Sequence, residues 1–297
     1  MTLQALHDVP APAKLNLFLH VIGRRADGYH LLQSAFVLID WCDTLHFERR
    51  GDGRIARRDL GAALPADDLC LRAAQALQRA AGCTLGADIA IDKQVPWGAG
   101  MGGGSSDAAT TLLALNRLWG LDWPLSRLLP IGLALGADVP FFLGGHNAFV
   151  EGIGERLTPI ELPPQRFAIV KPAATIETRA IFESPLLARD TEAATLAGFL
   201  ASDLFGFGRN DLQAPAESCC AEVTEALSLL QARFGNSRMT GSGSAVFATV
   251  AAREEDSGVE RPLTATWPPA LAAGWVGRIC RSLEVHPLAG WASDDRG

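Results

Sequence analysis

The sequence predicts an α+β protein in two domains, and three observations carry that expectation. Strand-like and helix-like runs are mixed along all 297 residues. A junction at 159–164, holding Pro163-Pro164, separates residues 1–164 from 165–297. With 48% hydrophobic and 20% charged residues, the chain has ordinary globular composition and material for two cores.

Residues 13–22 alternate with the period of a strand, Leu15, Leu17 and Leu19 on one face, Lys14, Asn16 and Phe18 on the other. A lysine and an amide on one face either meet solvent at a sheet edge or line a cleft. Asp27-Gly28 marks a turn, followed by Tyr29, the single tyrosine, and His30. That pair serves either local packing or stacking on a planar base. Residues 36–40 and 44–47 predict two strands around a turn at 41–43, and the polar stretch 49–59 a hairpin. Asp67-Asp68 open a helix with apolar positions from Leu69 to Ala81, stopped by Gly82, the acids suiting its positive end. Residues 87–92 form a short strand. A helix over 106–119 ends at Gly120, and Pro130 must kink or delay another over 125–135. Asp138 precedes an apolar run at 139–143, either as a ligand of nearby backbone or as a positioned acid.

After a strand at 148–150 and a turn at Gly152 and Gly154, the second half opens with a strand at 167–170 and a short helix at 176–182. A helix runs from about 215 to 234. Thr240-Gly241-Ser242-Gly243-Ser244 is a small-residue loop leading into a strand that ends at 250, and 275–282 is the last strand. Residues 253–269 hold three prolines, which would break a helix, and 290–297 read as a solvated tail.

The stretch that organises the first domain is Val95-Pro96-Trp97-Gly98-Ala99-Gly100-Met101-Gly102-Gly103-Gly104-Ser105-Ser106-Asp107, with five glycines in seven positions. Glycine lets a ligand touch the backbone, and a helix start presents unpaired N–H groups to an anion. A mobile linker would not carry Ser-Ser-Asp at a helix start. Gly98-x-Gly100-x-x-Gly103 formally matches the dinucleotide fingerprint of an NAD-binding oxidoreductase, but Pro96 and Trp97 part it from the preceding strand. A Walker A loop needs a lysine that is absent. The remaining reading is a phosphate cradle of main-chain amides, helped by Ser105 and Ser106, with 240–244 as a second wall.

A net charge of −7 disfavours a nucleic-acid partner or an anionic membrane surface. No apolar run reaches the roughly 18 residues of a spanning helix, and the N-terminus lacks signal-peptide character. Six cysteines without a C-x-x-C pair fit a reduced, cytoplasmic protein.

The segment from Pro96 to Ala109 closely resembles the Pro-x-x-x-Gly-Leu-Gly-Gly-Gly-Ser-Ser motif of the GHMP small-molecule kinases. Pro12-Ala13-Lys14-Leu15-Asn16-Leu17, Asp27-Gly28-Tyr29-His30, Leu135-Gly136-Ala137-Asp138-Val139-Pro140 and Thr240-Gly241-Ser242-Gly243 are similar to further motifs of that family, in family order. Met101 stands where leucine is common, a swap of similar volume. The resemblance implies a ribosomal-protein-S5 domain-2-like, ATP-binding domain at 1–164 and a ferredoxin-like domain at 165–297, with the active cleft between them. It implies ATP-dependent phosphorylation of a hydroxyl on the methylerythritol part of a CDP-linked substrate, on the non-mevalonate route to isoprenoid precursors. Homoserine or mevalonate kinase chemistry is the alternative within the family.

Lys14 and Asp138 match the catalytic pair, and Asn16 a substrate position. Tyr29 and Phe182 match two rings that sandwich cytosine, His30 the residue reading its edge, and Thr178 a further substrate-side position. Pro96, Trp97, Gly98, Ala99, Gly100, Met101, Gly102, Gly103, Gly104, Ser105 and Ser106 match the ATP phosphate loop. Mg2+ is expected with ATP, its ligands unassigned apart from Ser106 as a neighbour. The resemblance also fits a monomer or homodimer. Phosphoryl transfer needs positioning and charge neutralisation above all, which a base at Asp138 and a cation at Lys14 would supply.

Overall fold

The computed structural model describes residues 3–250 and 271–293. In chain order it contains β1 (Ala5–Arg24), β2 (His30–Arg50), β3 (Ile55–Asp59), α1 (Leu69–Ala81), β4 (Gly86–Asp92), α2 (Gly103–Leu118), α3 (Leu125–Leu135), α4 (Val139–Gly144), β5 (Ala148–Glu151), β6 (Arg156–Pro159) and β7 (Arg166–Lys171). Then come α5 (Thr178–Glu183), α6 (Leu196–Leu200), α7 (Gln213–Cys219), α8 (Ala221–Phe234), β8 (Arg238–Met239), β9 (Val246–Val250) and β10 (Val276–Leu283). The α+β expectation holds.

The long strand β2 is the spine. It pairs antiparallel with β1 along most of its length, with β5 at 34–36, with β4 at 44–50, and with β10 at Leu38 and Ile39. Strand β10 joins it to the second half of the sheet, β10-β7-β9-β8. One apolar cluster packs α1, α2, α3 and α4 on the sheet, with Phe47, Leu77, Leu112 and Phe142 at its centre. A second fills the space between the halves around Leu15, Phe18, Phe167 and Phe247, and a third seats α7 and α8. Helix α2 is buried on nearly every side, which its small residues Ala108, Ala109 and Ala114 permit.

Several local expectations are met. Asp68 caps α1 by accepting from the Leu71 amide at 3.0 Å, and Gly82 ends it with φ 56°. Others are corrected. No turn occurs at 41–43: β2 runs straight through, because Trp41 and Asp43 are buried by what surrounds them. Residues 49–59 are not a hairpin; β3 pairs parallel with β4, which lies between it and β2. Helix α3 starts at Leu125 and contains Pro130, so it is not delayed. The apolar run after Asp138 is a short helix, α4. The helix over 215–234 is two, α7 and α8, parted at Cys220 in extended conformation. Residues 290–293 are no solvated tail: Leu288 and Ala292 are buried in the first cluster, and Ser293 accepts from the Leu125 amide at 3.0 Å. The proline-broken reading of 253–269 lies outside the described residues.

Candidate active site

Strand β1 delivers Lys14 and Asn16 to a cavity of about 910 Å³ formed by residues from both halves of the chain. Lys14 is only 3% exposed, which excludes the solvent-edge alternative for that strand face. Its Nζ lies 3.6 Å from Asp138 Oδ2 and donates to Asn16 Oδ1 at 2.5 Å, with the Phe36 ring below it at 4.4 Å. Burial lowers the Lys14 pKa from its ordinary value, and the Asp138 charge offsets that only in part. Asp138 is the residue just before α4, accepts no cap hydrogen bond, and is 32% exposed on its side chain, so its carboxylate faces Lys14 and the cavity. Asn16 is held on both sides: its amide N–H donates to Thr240 Oγ1 at 2.8 Å, and its Nδ2 to Ser34 Oγ at 2.9 Å.

The glycine loop passes directly beside this pair. The Lys14 backbone N–H donates to the Met101 carbonyl at 3.0 Å. Gly98, Gly100 and Gly102 all have φ between 66° and 78°, the left-handed region that glycine favours. Helix α2 begins at Gly103, three residues earlier than the sequence suggests, with Gly102 as its N-cap. The amides of Gly103, Gly104 and Ser105 are therefore first-turn donors without intrahelical partners, while the Ser106 amide is spent on the Gly102 carbonyl at 2.9 Å. Ser106 is fully buried and its Oγ has no hydrogen-bond partner. Pro96, Gly98, Gly100 and Ser105 are half-buried, Ala99 and Met101 are buried, and Trp97 stands 66% exposed.

The second small-residue loop is in backbone contact with the first. Ser244 and Ala245 donate to the carbonyls of Gly98 and Ala99 at 3.3 and 3.2 Å. A Cβ on Gly243 would lie 2.2 Å from the Gly100 nitrogen, so only glycine permits the approach. Ser242 extends the wall and shares a 2.9 Å hydrogen bond with Thr178.

Tyr29, His30 and Phe182 also line the cavity, as does Thr178 beside Ser242. Tyr29 sits on the β1–β2 turn, 62% exposed, and Thr178 is also exposed. The His30 ring stacks on Phe182 with centroids 5.0 Å apart, and its Nε2 is buried without a partner. Burial, then the nearby charges of Arg189 and Arg24, lower the His30 pKa, leaving a neutral imidazole near pH 7 that can both donate and accept.

Sequence reasoning missed the support behind the glycine loop. Asp43, assigned to a turn, is fully buried and accepts from the Gln94 and Val95 amides at 2.6 and 2.8 Å. Lys93 bridges Asp43 to Asp107 of α2, the latter at 2.6 Å. Burial opposes the charge on Lys93, and the two carboxylates outweigh it. A lone lysine between a strand end and a glycine run was the one available signal.

A buried ammonium beside a carboxylate, next to first-turn amides, has the chemistry that a phosphotransferase acting on a small alcohol needs. Comparison with known proteins agrees. The model for the GHMP kinases N terminal domain matches residues 68–146, and that for the GHMP kinases C terminal matches 195–268. A 4-diphosphocytidyl-2-C-methyl-D-erythritol kinase of Methylibium petroleiphilum is 68% identical over 98% of this chain and 100% of its own length. That of Verminephrobacter eiseniae is 59% identical, over 99% and 100%. A crystal structure of 4-(cytidine 5'-diphospho)-2C-methyl-D-erythritol kinase superposes with a TM-score of 0.70 at 33% identity, covering 82% of this chain and 89% of the other. The chain belongs to the GHMP kinases, in the 4-diphosphocytidyl-2-C-methyl-D-erythritol kinase family.

The dinucleotide alternative has no support in the topology. Strand β4, which leads to the glycine loop, pairs with β2 and β3, and the strand that follows the loop and its helices, β5, pairs with β2 and β6, so no paired β4 and β5 make a βαβ unit around the loop.

Proposed function

We propose that this protein transfers the γ-phosphoryl group of ATP to the 2-hydroxyl of 4-diphosphocytidyl-2-C-methyl-D-erythritol, in the methylerythritol phosphate pathway to isoprenoid precursors. One observation carries the mechanism: the 3.6 Å Lys14–Asp138 pair lies in one cavity with a partnerless His30 nitrogen and the Tyr29 and Phe182 rings. A substrate with a planar base at one end and an alcohol at the other matches that arrangement, whereas homoserine and mevalonate have no base to stack.

Asp138 orients the hydroxyl and accepts its proton as the oxygen attacks the γ-phosphorus. The bond from that phosphorus to the bridging oxygen breaks, and ADP leaves. Lys14 offsets the charge gathering on the phosphoryl oxygens, and Asn16, which also binds Lys14, positions the polyol. The amides of Gly103, Gly104 and Ser105 hold the ATP phosphates, with residues 96–102 shaping the loop and Trp97 on its outer side. Tyr29, His30 and Phe182 hold the cytosine, and Thr178 the substrate beside Ser242.

Among the described residues no three His, Cys, Asp or Glu side chains cluster as a metal cage. That donor set fits a Mg2+ carried by ATP itself, with the unpartnered Ser106 Oγ as the protein oxygen assigned to it. Such an ion would supply further charge neutralisation on the phosphates. No helix among the described residues is long and apolar enough to cross a membrane, and we place the enzyme in the cytoplasm. All assigned residues come from one chain, so a monomer and a homodimer would each hold complete sites.

The test is ADP release in a coupled assay, with the CDP-linked alcohol, homoserine and mevalonate offered separately. Turnover with the first alone is expected; equal turnover with homoserine or mevalonate would overturn the substrate assignment.

A further inference from the structure

Resting on the substrate reading above, we infer that Arg24 binds the diphosphate of the CDP-linked substrate and makes the enzyme prefer a nucleoside diphosphate over a nucleoside. A cytidine diphosphate carries its negative charge between the base and the alcohol. The cavity must meet that charge at an intermediate point. Its lining includes three cations: Lys14, Arg24 and Arg179. Lys14 is committed to Asp138 at 3.6 Å, at the transfer end. Arg179 is paired with Glu183 at 2.7 Å. Arg24 has no carboxylate within 4.0 Å among the described residues.

The geometry of Arg24 suits the task. It is the last residue of β1, directly opposite His30 in the antiparallel register, so the two side chains share a sheet face. Its charge also reaches that ring, being one of the causes that lower the His30 pKa. Among the described residues the guanidinium makes one hydrogen bond, from Nε to the Gly28 carbonyl at 3.1 Å. The two terminal nitrogens remain available for a fork on two phosphate oxygens. The other cation of the turn, Arg25, pairs with Asp27 at 2.7 Å, and Arg189, the other charge near His30, spends its guanidinium on the carbonyls of Phe182, Ser184 and Leu187, which leaves Arg24, among the described residues, as the uncommitted cation of the cavity lining beside His30.

The experiment measures binding of CDP and of cytidine to the full-length enzyme, for wild type, Arg24→Gln and Arg24→Lys. Wild type should bind CDP more tightly than cytidine. Arg24→Gln should weaken CDP by about 10- to 100-fold while leaving cytidine within twofold. Arg24→Lys should recover part of the CDP affinity, since the charge returns without the fork. The salt dependence of CDP binding should flatten in Arg24→Gln. Unchanged CDP affinity in Arg24→Gln would overturn the inference. So would equal losses for CDP and cytidine, which would mean that Arg24 only supports the turn through Gly28. Wild-type enzyme that binds neither ligand would instead sink the substrate reading on which the inference rests.

Discussion

At one end of the cavity Lys14 and Asn16 are 3% and 2% exposed, and main-chain hydrogen bonds tie their strand and both glycine ribbons into one block. At the other end Tyr29 stands in solvent, and His30 keeps a buried nitrogen without a partner. The transfer end is thus organised before any ligand arrives, as electrostatic catalysis requires. The base end leaves its surfaces and one hydrogen-bonding atom for the substrate to complete. The order is tightest around Lys14 and the glycine ribbons, and exposure greatest around Tyr29.

The contrast predicts that damage at the transfer end strikes turnover, and damage at the base end strikes substrate binding. The largest effect should come from Asp138→Asn, which keeps the shape but removes the base: kcat should fall by about 10²–10⁴, with the Michaelis constant for ATP little changed. Near wild-type turnover would break the contrast at its root. Next, Gly243→Ala would press a Cβ to 2.2 Å from the Gly100 nitrogen. Denaturant titration should show a loss near the upper end of ~1–3 kcal/mol, the range for overpacking. Gly51→Ala, where nothing lies within 4 Å, should be close to neutral. If the two variants behave alike, the ribbons are not the tight joint described above.

Smaller effects sharpen the base end. Tyr29→Ala should raise the Michaelis constant for the CDP-linked substrate by about 5- to 100-fold, the worth of one base–aromatic stack, leaving that for ATP unchanged. An unchanged substrate constant would remove Tyr29 from the site. The smallest effect is on stability. Because Lys14 has its pKa lowered in the folded protein, the unfolded chain binds more protons between that lowered value and 10.5. The cost of burying the charged lysine is fully present below the lowered value and fades as pH rises toward 10.5. Lys14→Met should therefore lose turnover yet unfold no more easily than wild type at pH 7, and wild type should gain on it at higher pH. Thermal melts across pH check this; a large destabilisation at pH 7 would show that the Asp138 pairing outweighs the burial.

Much of the site was legible from the chain. The glycine loop, the alternating face carrying Lys14 and Asn16, and the capped helix after Asp68 are patterns set by near neighbours. The sequence motifs also drew Asp138, Tyr29, His30 and Phe182 into one hypothesis, and all four line one cavity. What stayed illegible depends on distant residues. Asp43 looked like a turn because an acid beside Trp41 and Cys42 has no local reason to be buried, and its reason is Lys93 with the Gln94 and Val95 amides. Residues 290–293 looked solvated because the surface that buries Ala292 belongs to the first half of the chain.

The amino-acid order alone determined which segment brings a glycine ribbon to a helix start and which strand alternates polar and apolar side chains, since backbone permissiveness and side-chain period are properties of consecutive residues. Only the tertiary structure decided that Lys14 is buried against Asp138, that the ribbons at 98–102 and 240–245 touch through glycine backbone, and that Arg24 stands across from His30. Burial, charge pairing and strand register are set by partners far away in the chain, and no local pattern carries them.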